Sequence, residues 1–310
     1  MQVQRSAYYL YAGRRTFRQS RCAVAVKECF LFNRRRYGSR RIAASLKIGR
    51  ATVQKVMRGE NLRAIQPRSF KPQTTDSKHG LPVSANLLQD EANAPVGKGE
   101  VFVGDITYLR LRDGKFCYLA CLQDKFTRRI VGWKVAERMT AQLVIDVFRQ
   151  ARRHGLIGKN AIIHTDQGSQ YASVEYRRLL YIGGFRQSMS RKGNCYDNAQ
   201  AESFFARFKA ELVENGIFES VEDAKSEVFS YIEGYYNRIR LHSGLGYKSP
   251  MQFENELKIK NKGSRESFVS RITWVFRIFG AKGNFFANLC SSAICLQFLF
   301  NINNFRLFYD

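Results

Sequence analysis

The stretch 190-SRKGNCYDNAQAESFFARFK-209 begins as a loop rich in glycine, asparagine and basic residues and continues as an amphipathic helix. Glu202 lies near the start of that helix. Lys209 follows it by seven residues, two turns further along the same helix face. An isolated glutamate among so many cations is usually a solvated ion pair, so the role of Glu202 depends on acids elsewhere in the chain.

Two aspartates upstream belong to predicted strands. The alternating pattern of residues 101–111 predicts a strand that contains Asp105. One face of this strand carries Val101, Val103, Asp105 and Thr107. Asp166 follows the short apolar segment 161–164, and 35 residues separate it from Glu202. Because a buried strand carboxylate needs a partner, Asp105 is difficult to explain as a simple surface residue.

Three acids gathered at one point suit metal-dependent phosphoryl transfer. Divalent ions about 3.5–4 Å apart can clamp the attacking and leaving oxygens, and Mg²⁺ prefers carboxylate and water oxygens. Without a cation, three converging carboxylates would repel one another and raise their pKa values. The sequence therefore indicates Asp105, Asp166 and Glu202 as candidate catalytic residues and metal ligands.

Local interpretations of these acidic and polar residues also stay open. Asp166, in the segment Thr-Asp-Gln-Gly, suits a turn. Asp197 and Asn198 suit the N-terminal cap of the Glu202 helix. His164 suits packing or hydrogen bonding at a strand end better than metal binding.

The composition describes a folded, strongly basic chain. Of its 310 residues, 45% are hydrophobic and 13% are aromatic, and the formal net charge is +25. Residues 1–75 contain 18 lysines and arginines against Glu28 and Glu60, a net charge of +16. Nucleic acid fits this field better than an anionic membrane, because the sequence has no run of about 20 apolar residues. The seven cysteines lack Cys-x-x-Cys spacing, which does not support a structural zinc site.

Residues 1–75 are predicted to form a basic helical DNA-binding region. Within it, 38–60 has the pattern of a helix-turn-helix, in which Ile42 marks one short helix, Gly49 a turn and Val53 a second helix. Five basic side chains of this region are candidate DNA contacts: Arg40, Arg41, Arg50, Lys55 and Arg58. A solvated pair of basic helices would show the same pattern.

The rest of the chain divides by composition. We assign 76–97 to a linker, because it is rich in turn residues and has little periodicity. From 98 to 258 the pattern predicts three strands, a helix, a strand, a helix, a strand and further helices, which is a mixed α/β arrangement. Residues 259–310 form an atypical apolar tail.

Four motifs together resemble the transposases of bacterial insertion sequences, of the type encoded in the second of two overlapping reading frames. They are Gly104–Tyr108 (GDITY), His164–Ala172 (HTDQGSQYA), the stretch 190–205 and Tyr236–Pro250 (YNRIRLHSGLGYKSP). The catalytic half of these proteins looks like retroviral integrase. The resemblance covers about residues 35–258, and the spacing of Asp166 and Glu202 matches that of the family.

The resemblance implies an α/β fold with a ribonuclease-H-like, mixed five-stranded sheet flanked by helices, behind a small basic all-α domain. It implies an Asp-Asp-Glu triad at Asp105, Asp166 and Glu202 that uses two Mg²⁺ ions, with Mn²⁺ as a substitute, to cut element ends and join the 3′-hydroxyl to another phosphate. Lys209 matches a basic residue that contacts terminal DNA in these enzymes. Further DNA contacts are expected from Lys192, Asn198, Arg238, Arg240 and His242.

The expected partners are double-stranded DNA, as terminal repeats and as target, and the first-reading-frame protein of the same element. Pairing two ends requires more than one protomer, so we expect a homo-oligomer on DNA. The chain opens without an apolar signal segment, so we expect it in the bacterial cytoplasm, on nucleoid DNA. Two alternatives stay open: a catalytically silent DNA-binding regulator of transposition, and a ribonuclease-H-like nuclease that acts on RNA–DNA hybrids.

Removal of the tail is expected to leave the protein intact. The family likeness ends near Lys258, and residues 263–310 carry nine phenylalanines with only Glu266 and Asp310 as acids, a composition that favours aggregation. A chain that ends at Lys258 should therefore stay in solution at higher concentration, measured by ultracentrifugation, and should cut DNA no less actively. Loss of cooperative unfolding in the shortened chain would contradict this prediction.

Overall fold

The computed structural model describes residues 21–66, 80–191, 199–212 and 217–259. The predictions for Lys192, Asp197 and Asn198, and for the tail from residue 260 onward, lie outside these ranges. The described residues up to Glu254 belong to one compact unit, and Asn255 begins a second unit. Within the described ranges, every helix is too short or too polar to span a bilayer.

A mixed sheet with the strand order β3-β2-β1-β4-β5 forms the centre of the fold. Its strands are β1 (Val101–Leu111), β2 (Phe116–Asp124), β3 (Ile130–Ala136), β4 (Ile162–Thr165) and β5 (Arg186–Met189). The first three form an antiparallel meander, and β4 and β5 run parallel to β1. This confirms the predicted ribonuclease-H-like sheet. A two-residue strand, β6 (Ile217–Phe218), also pairs with the end of β1, which the sequence did not reveal.

The β1–β2 hairpin turns at Asp113 and Gly114. Asp113 Oδ1 accepts a hydrogen bond from the Lys115 N–H at 3.0 Å, and Gly114 has a φ of +83°. Glycine adopts this left-handed conformation without a steric penalty. The turn therefore fixes the hairpin register, in which Asp105 lies opposite Cys121.

Helices cover both faces of the sheet. One face packs against α4 (Ala141–Arg153), α5 (Ser169–Ala172) and α6 (Val174–Ile182). The other packs against α7 (Ala199–Leu212), α8 (Val221–Phe229) and the π-helical turn Ser230–Tyr236. A further helix, α9, spans residues 250–259. Because side chains alternate along a strand, Asp105 shares the α7 face with Leu109, as the sequence predicted for its strand.

Three α-helices lie within the described residues 21–66, ahead of the sheet. They are residues 21–32 (α1), α2 (Ser39–Leu46) and α3 (Arg50–Gly59). Their small core consists of Val26, Phe30, Tyr37, Ile42 and Val53. Lys47 turns the chain after α2 with a φ of +54°, and its N–H donates to the Ala43 carbonyl. The predicted all-α region before the sheet is therefore confirmed, and its action as a DNA-binding helix-turn-helix stays a prediction.

The described part of the predicted linker, residues 80–97, lies against the edge of the sheet. The Leu87 N–H donates to Ser188 Oγ at 2.9 Å, and the Met189 N–H donates to the Ala85 carbonyl at 3.4 Å. These bonds cover part of the outer edge of β5, which would otherwise present unpaired backbone groups. The segment is therefore docked on the core, a role that its composition did not reveal.

Gly132 on β3 permits the close approach of α4. A Cβ atom at this position would lie 2.5 Å from the Val147 carbonyl oxygen. Because that oxygen belongs to the helix backbone, Gly132→Ala should lower the free energy of unfolding by about 1–3 kcal/mol, measured by urea denaturation. Gly234→Ala is the control, since nothing lies within 4 Å of its added Cβ. Equal losses in both variants would contradict the packing argument.

Candidate active site

Asp105 and Asp166 are brought together by the register of two parallel strands. Val103 of β1 pairs with His164 of β4. Asp105 and Asp166 follow this pair by two residues on each segment, and the charge of Asp166 raises the pKa of Asp105, so the two carboxyls are close neighbours. Asp166 also begins a turn, in which its Oδ1 accepts a hydrogen bond from the Gly168 N–H at 3.0 Å. The local turn role and the pairing with Asp105 are therefore compatible.

Helix α7 carries Glu202 over the same face of the sheet. Gln200 Nε2 donates to Gln123 Oε1 at 3.0 Å and to the Lys125 carbonyl at 3.3 Å, which fastens the start of the helix to the end of β2. Glu202 is exposed overall, and partial desolvation of its carboxyl raises its pKa. The described residues contain no group of three His, Cys, Asp or Glu side chains close enough to hold a metal ion. The three acids are thus neighbours that do not yet form a complete ligand set.

The Asp105 carboxyl has a pKa well above its usual range. Desolvation of the carboxyl is the largest cause, and the negative charges of Asp166 and Glu202 add to it. Two groups lower the pKa of Asp105. The Ile106 N–H donates to Asp105 Oδ1 at 2.8 Å, and the Lys209 ammonium contributes a positive charge. A carboxylate that is desolvated beside two other acids needs a proton or a cation for compensation.

Tyr171 on α5 lies beside the two aspartates and was not predicted as a site residue. It is buried, and its hydroxyl lies 3.6 Å from the position that a Cβ atom would take at Gly104. Burial and the charges of Asp105 and Asp166 raise its pKa, so the phenol stays protonated at neutral pH. A signal for it was present in the sequence, since Tyr171 closes the Asp166 motif DQGSQY.

Lys209 reaches the same region from the far end of α7. Its Nζ lies 4.4 Å from the centroid of the Tyr108 ring, which is a cation–π contact. Desolvation lowers the pKa of Lys209, whereas the charge of Asp105 raises it. The Tyr108 ring also lines a cleft of ≈360 Å³, together with Phe116, Tyr118, Met139 and Asp166. The cleft therefore opens beside Asp166.

The predicted DNA contacts outside α7 differ in exposure. The exposed ones are Arg40, Arg50, Lys55, Arg58 and Arg238. Arg41 is half-buried instead, and its Nε donates to the Leu241 carbonyl at 2.9 Å. Phosphate contacts stay predictions for the exposed group. The prediction for Arg41 is corrected, because its guanidinium is engaged inside the protein.

Arg240 and His242, also predicted as DNA contacts, belong to an internal network. Arg240 is buried, and its Nε and Nη2 donate to the two carboxylate oxygens of Glu211 at 2.8 and 2.6 Å. Burial alone would raise the pKa of Glu211, but the hydrogen bonds and charge of Arg240 hold it below its usual value. Burial and the charges of Arg240 and Arg41 lower the pKa of His242 to about 2, so its imidazole is neutral. A buried arginine with an internal partner and an uncharged histidine do not suit phosphate contacts, which corrects the prediction.

Two segments of the chain match the Integrase core domain family, residues 95–195 and residues 202–257. The first segment contains Asp105 and Asp166, and the second begins at Glu202. All three predicted acids therefore fall within the matched residues.

Two solved structures are similar to the chain at low sequence identity. One is a simian T-cell lymphotropic virus intasome in complex with the PP2A regulatory subunit B56 gamma, with 15% identity and a TM-score of 0.44 over 70% of this chain and 74% of that chain. The other is the HTLV-2 integrase catalytic core domain in complex with magnesium, with 15% identity and a TM-score of 0.40 over 52% of this chain and 99% of that chain.

Curated relatives match most of the chain. It is 41% identical over 268 residues to the transposase InsF for insertion sequence IS3A of Escherichia coli strain K12, across 83% of this chain and 92% of the relative. It is 37% identical over 263 residues to the insertion element IS600 uncharacterized 31 kDa protein of Shigella sonnei, across 82% of this chain and 96% of the relative. On the strength of this identity and of the two integrase-core matches, the chain belongs to the IS3 family of insertion-sequence transposases.

Proposed function

We propose that this transposase cuts DNA at the ends of its element and joins the freed 3′-hydroxyls to target DNA by phosphoryl transfer at Asp105, Asp166 and Glu202. One observation supports the proposal most directly. Asp105 lies on β1 and Asp166 directly follows the neighbouring strand β4, and the charges of Asp166 and Glu202 both raise the pKa of Asp105. The names of the Escherichia coli relatives as transposases support DNA strand transfer as the reaction.

The donor set fits Mg²⁺. Three carboxylates supply hard oxygen ligands, and Mg²⁺ keeps part of its water shell beside a few such ligands. The pKa of Asp105 is raised by desolvation and by the charges of Asp166 and Glu202, and a bound cation would offset both effects. When bound, Mg²⁺ would offset the charge that develops on the attacking and leaving oxygens. Glu202 would have to approach the aspartates, since the described residues form no complete ligand set.

Cations and aromatic rings of the chain would hold DNA beside the acids. Lys209 offers a point charge for a phosphate of the terminal strand. The cleft lined by Tyr108 and the half-exposed Phe116 suits a nucleobase next to the scissile phosphate, because stacking on an aromatic side chain contributes about 1–3 kcal/mol per base. Further phosphates would be positioned by Arg40, Arg50, Lys55, Arg58 and Arg238.

The reaction joins two element ends to one target, so the active form is a homo-oligomer on double-stranded DNA, assisted by the first-reading-frame protein of the element. A catalytically silent DNA-binding regulator is the second candidate. The observation in its favour is that the described residues hold no complete metal-ligand set. Turnover on DNA ends decides between the two.

Glu202→Gln tests the assigned acids. Loss of this charge should slow both cleavage and joining of labelled terminal DNA in Mg²⁺ by about 100-fold or more, because both steps need electrostatic stabilisation at the same site. Glu175→Gln, on the exposed side of α6, is the matched control and should keep wild-type rates. Wild-type cleavage by Glu202→Gln would contradict the assignment. No cleavage by wild type, even with the first-reading-frame protein, would favour the regulator.

Asp105→Asn should stabilise the metal-free protein at pH 7. A folded-state pKa above the unfolded value means that the folded chain binds the proton more tightly, so stability falls as the pH rises above about 4. The neutral amide removes this effect, and the melting temperature without metal should rise. Added Mg²⁺ should then stabilise wild type but not the variant.

Asp113→Asn provides the control for that experiment. Asp113 is an exposed turn residue, and Asn-Gly favours hairpin turns as Asp-Gly does. Neither the metal-free melting temperature nor the response to Mg²⁺ should change in this variant. A lower melting temperature of metal-free Asp105→Asn, or equal stabilisation of Asp105→Asn and wild type by Mg²⁺, would contradict the charge argument.

A further inference from the structure

The C-terminal end of α7 is held by a residue from the N-terminal helical domain. Arg36 lies just before α2, is buried, and donates from Nε to the Glu211 carbonyl oxygen at 2.9 Å. Its guanidinium carbon lies 4.5 Å from the centroid of the Tyr235 ring and 5.4 Å from that of Tyr231. The arginine is thus fixed by stacking as well as by its hydrogen bond.

The bonded carbonyl belongs to the last turn of α7, which ends at Leu212. The last four carbonyls of a helix lack partners within the helix, and this end carries the negative pole of the helix dipole. A buried cation that donates to one of them is therefore a cap, and here the N-terminal helical region supplies it. Glu202 and Lys209 lie on the same helix, at nine and two residues before Glu211.

The Glu211 side chain adds a second attachment within the core. Its carboxylate accepts hydrogen bonds from Arg240 at 2.8 and 2.6 Å and from the Tyr231 hydroxyl at 2.9 Å. Arg41 Nη1 of the N-terminal helices also lies 3.7 Å from Glu211 Oε1. The side chain of Glu211 is thus hydrogen-bonded by Arg240 and Tyr231, whereas its backbone carbonyl is bonded by Arg36. Because a helix is nearly rigid along its axis, fixing Glu211 also restricts sliding and rotation of the turn that carries Glu202.

The hydrogen bonds of Tyr37 join the same parts of the chain without involving α7. The Tyr37 hydroxyl donates to the Ile239 carbonyl at 3.2 Å and accepts from the Leu241 N–H at 3.0 Å. Tyr37→Phe therefore weakens the docking of the N-terminal domain and leaves the α7 cap in place. Arg36 and Tyr37 are neighbours in sequence but bond different partners. A substitution of Tyr37 therefore tests the docking of the N-terminal helices, and a substitution of Arg36 tests the cap of α7.

We propose that Arg36 is a positioning residue that caps α7 from the DNA-binding domain and thereby fixes Glu202 and Lys209 relative to Asp105. The effect on turnover rests on the proposed function, whereas the effect on the helix does not. The region that carries the predicted DNA-recognition helices therefore also stabilises α7, the helix that carries Glu202.

The test compares Arg36→Gln with Tyr37→Phe in the full chain. Hydrogen–deuterium exchange of amides 203–212, without metal or DNA, should accelerate about tenfold in Arg36→Gln, because a hydrogen bond from a charged donor shifts a local equilibrium by that order. Tyr37→Phe should keep wild-type exchange in this segment. On terminal DNA, Arg36→Gln should lower kcat and leave KM within about twofold of wild type, the pattern of a lost transition-state arrangement.

Arg36→Lys keeps the charge and one donor, so it should restore part of the exchange protection and of kcat, and it replaces Arg36→Gln if that variant does not fold. The cap would be contradicted if amides 203–212 exchanged at the wild-type rate in the Arg36 variants. It would also be contradicted if Tyr37→Phe accelerated their exchange as much as Arg36→Gln does. Wild-type kcat with accelerated exchange would overturn the positioning role. Inactivity of the wild-type protein would count against the proposed function alone, because the exchange result is independent of turnover.

Discussion

The repulsion between two neighbouring carboxylates is the constraint on which the site depends. The parallel register of β1 and β4 sets Asp105 beside Asp166, and the pKa of Asp105 rises through desolvation and through the charges of Asp166 and Glu202. Such an arrangement is tolerated only where a proton, a cation or a substrate compensates the charge. The Ile106 N–H and the Lys209 ammonium compensate only part of it, which makes a divalent cation a fitting complement of the site.

The helix that brings the third acid is held at both ends. Its start is bonded through Gln200 to the end of β2, and its end is bonded through Glu211 to Arg36 and Arg240. Between these points, three phenylalanines bury one side of the helix against the sheet. Apolar packing alone constrains a helix less sharply than directional bonds do. The position of α7 is therefore set by polar contacts from the end of β2, from the N-terminal helices and from Arg240, which suits a site that needs fixed geometry.

Local patterns in the sequence predicted much of this structure. Features that depend on contacts between distant parts of the chain were not predicted from such patterns. Alternation along β1 placed Asp105 on the α7 face, because that signal has the period of the strand itself. The pairing of β1 with β4 joins residues that are far apart in the chain, so the meeting of Asp105 and Asp166 was predicted from the chemistry of the acids and from the family resemblance, and not from a local pattern. Charge alone misassigned Arg240, since its partner Glu211 lies on a different helix and no spacing links the two. The docking of residues 80–97 on β5 was missed for the same reason.

Proton release on metal binding tests the central claim, that the raised pKa of Asp105 reflects a site built for a cation. Calorimetric titration of Mg²⁺ into the full chain with bound terminal DNA, repeated in buffers of different ionisation enthalpy, measures this release. At a pH above the usual carboxyl value of about 4 and below the raised pKa of Asp105, we predict that Mg²⁺ displaces a proton from wild type, because metal ligands must be deprotonated, and that Asp105→Asn releases none. Metal binding without proton release in wild type, or the same release in both proteins, would contradict the claim.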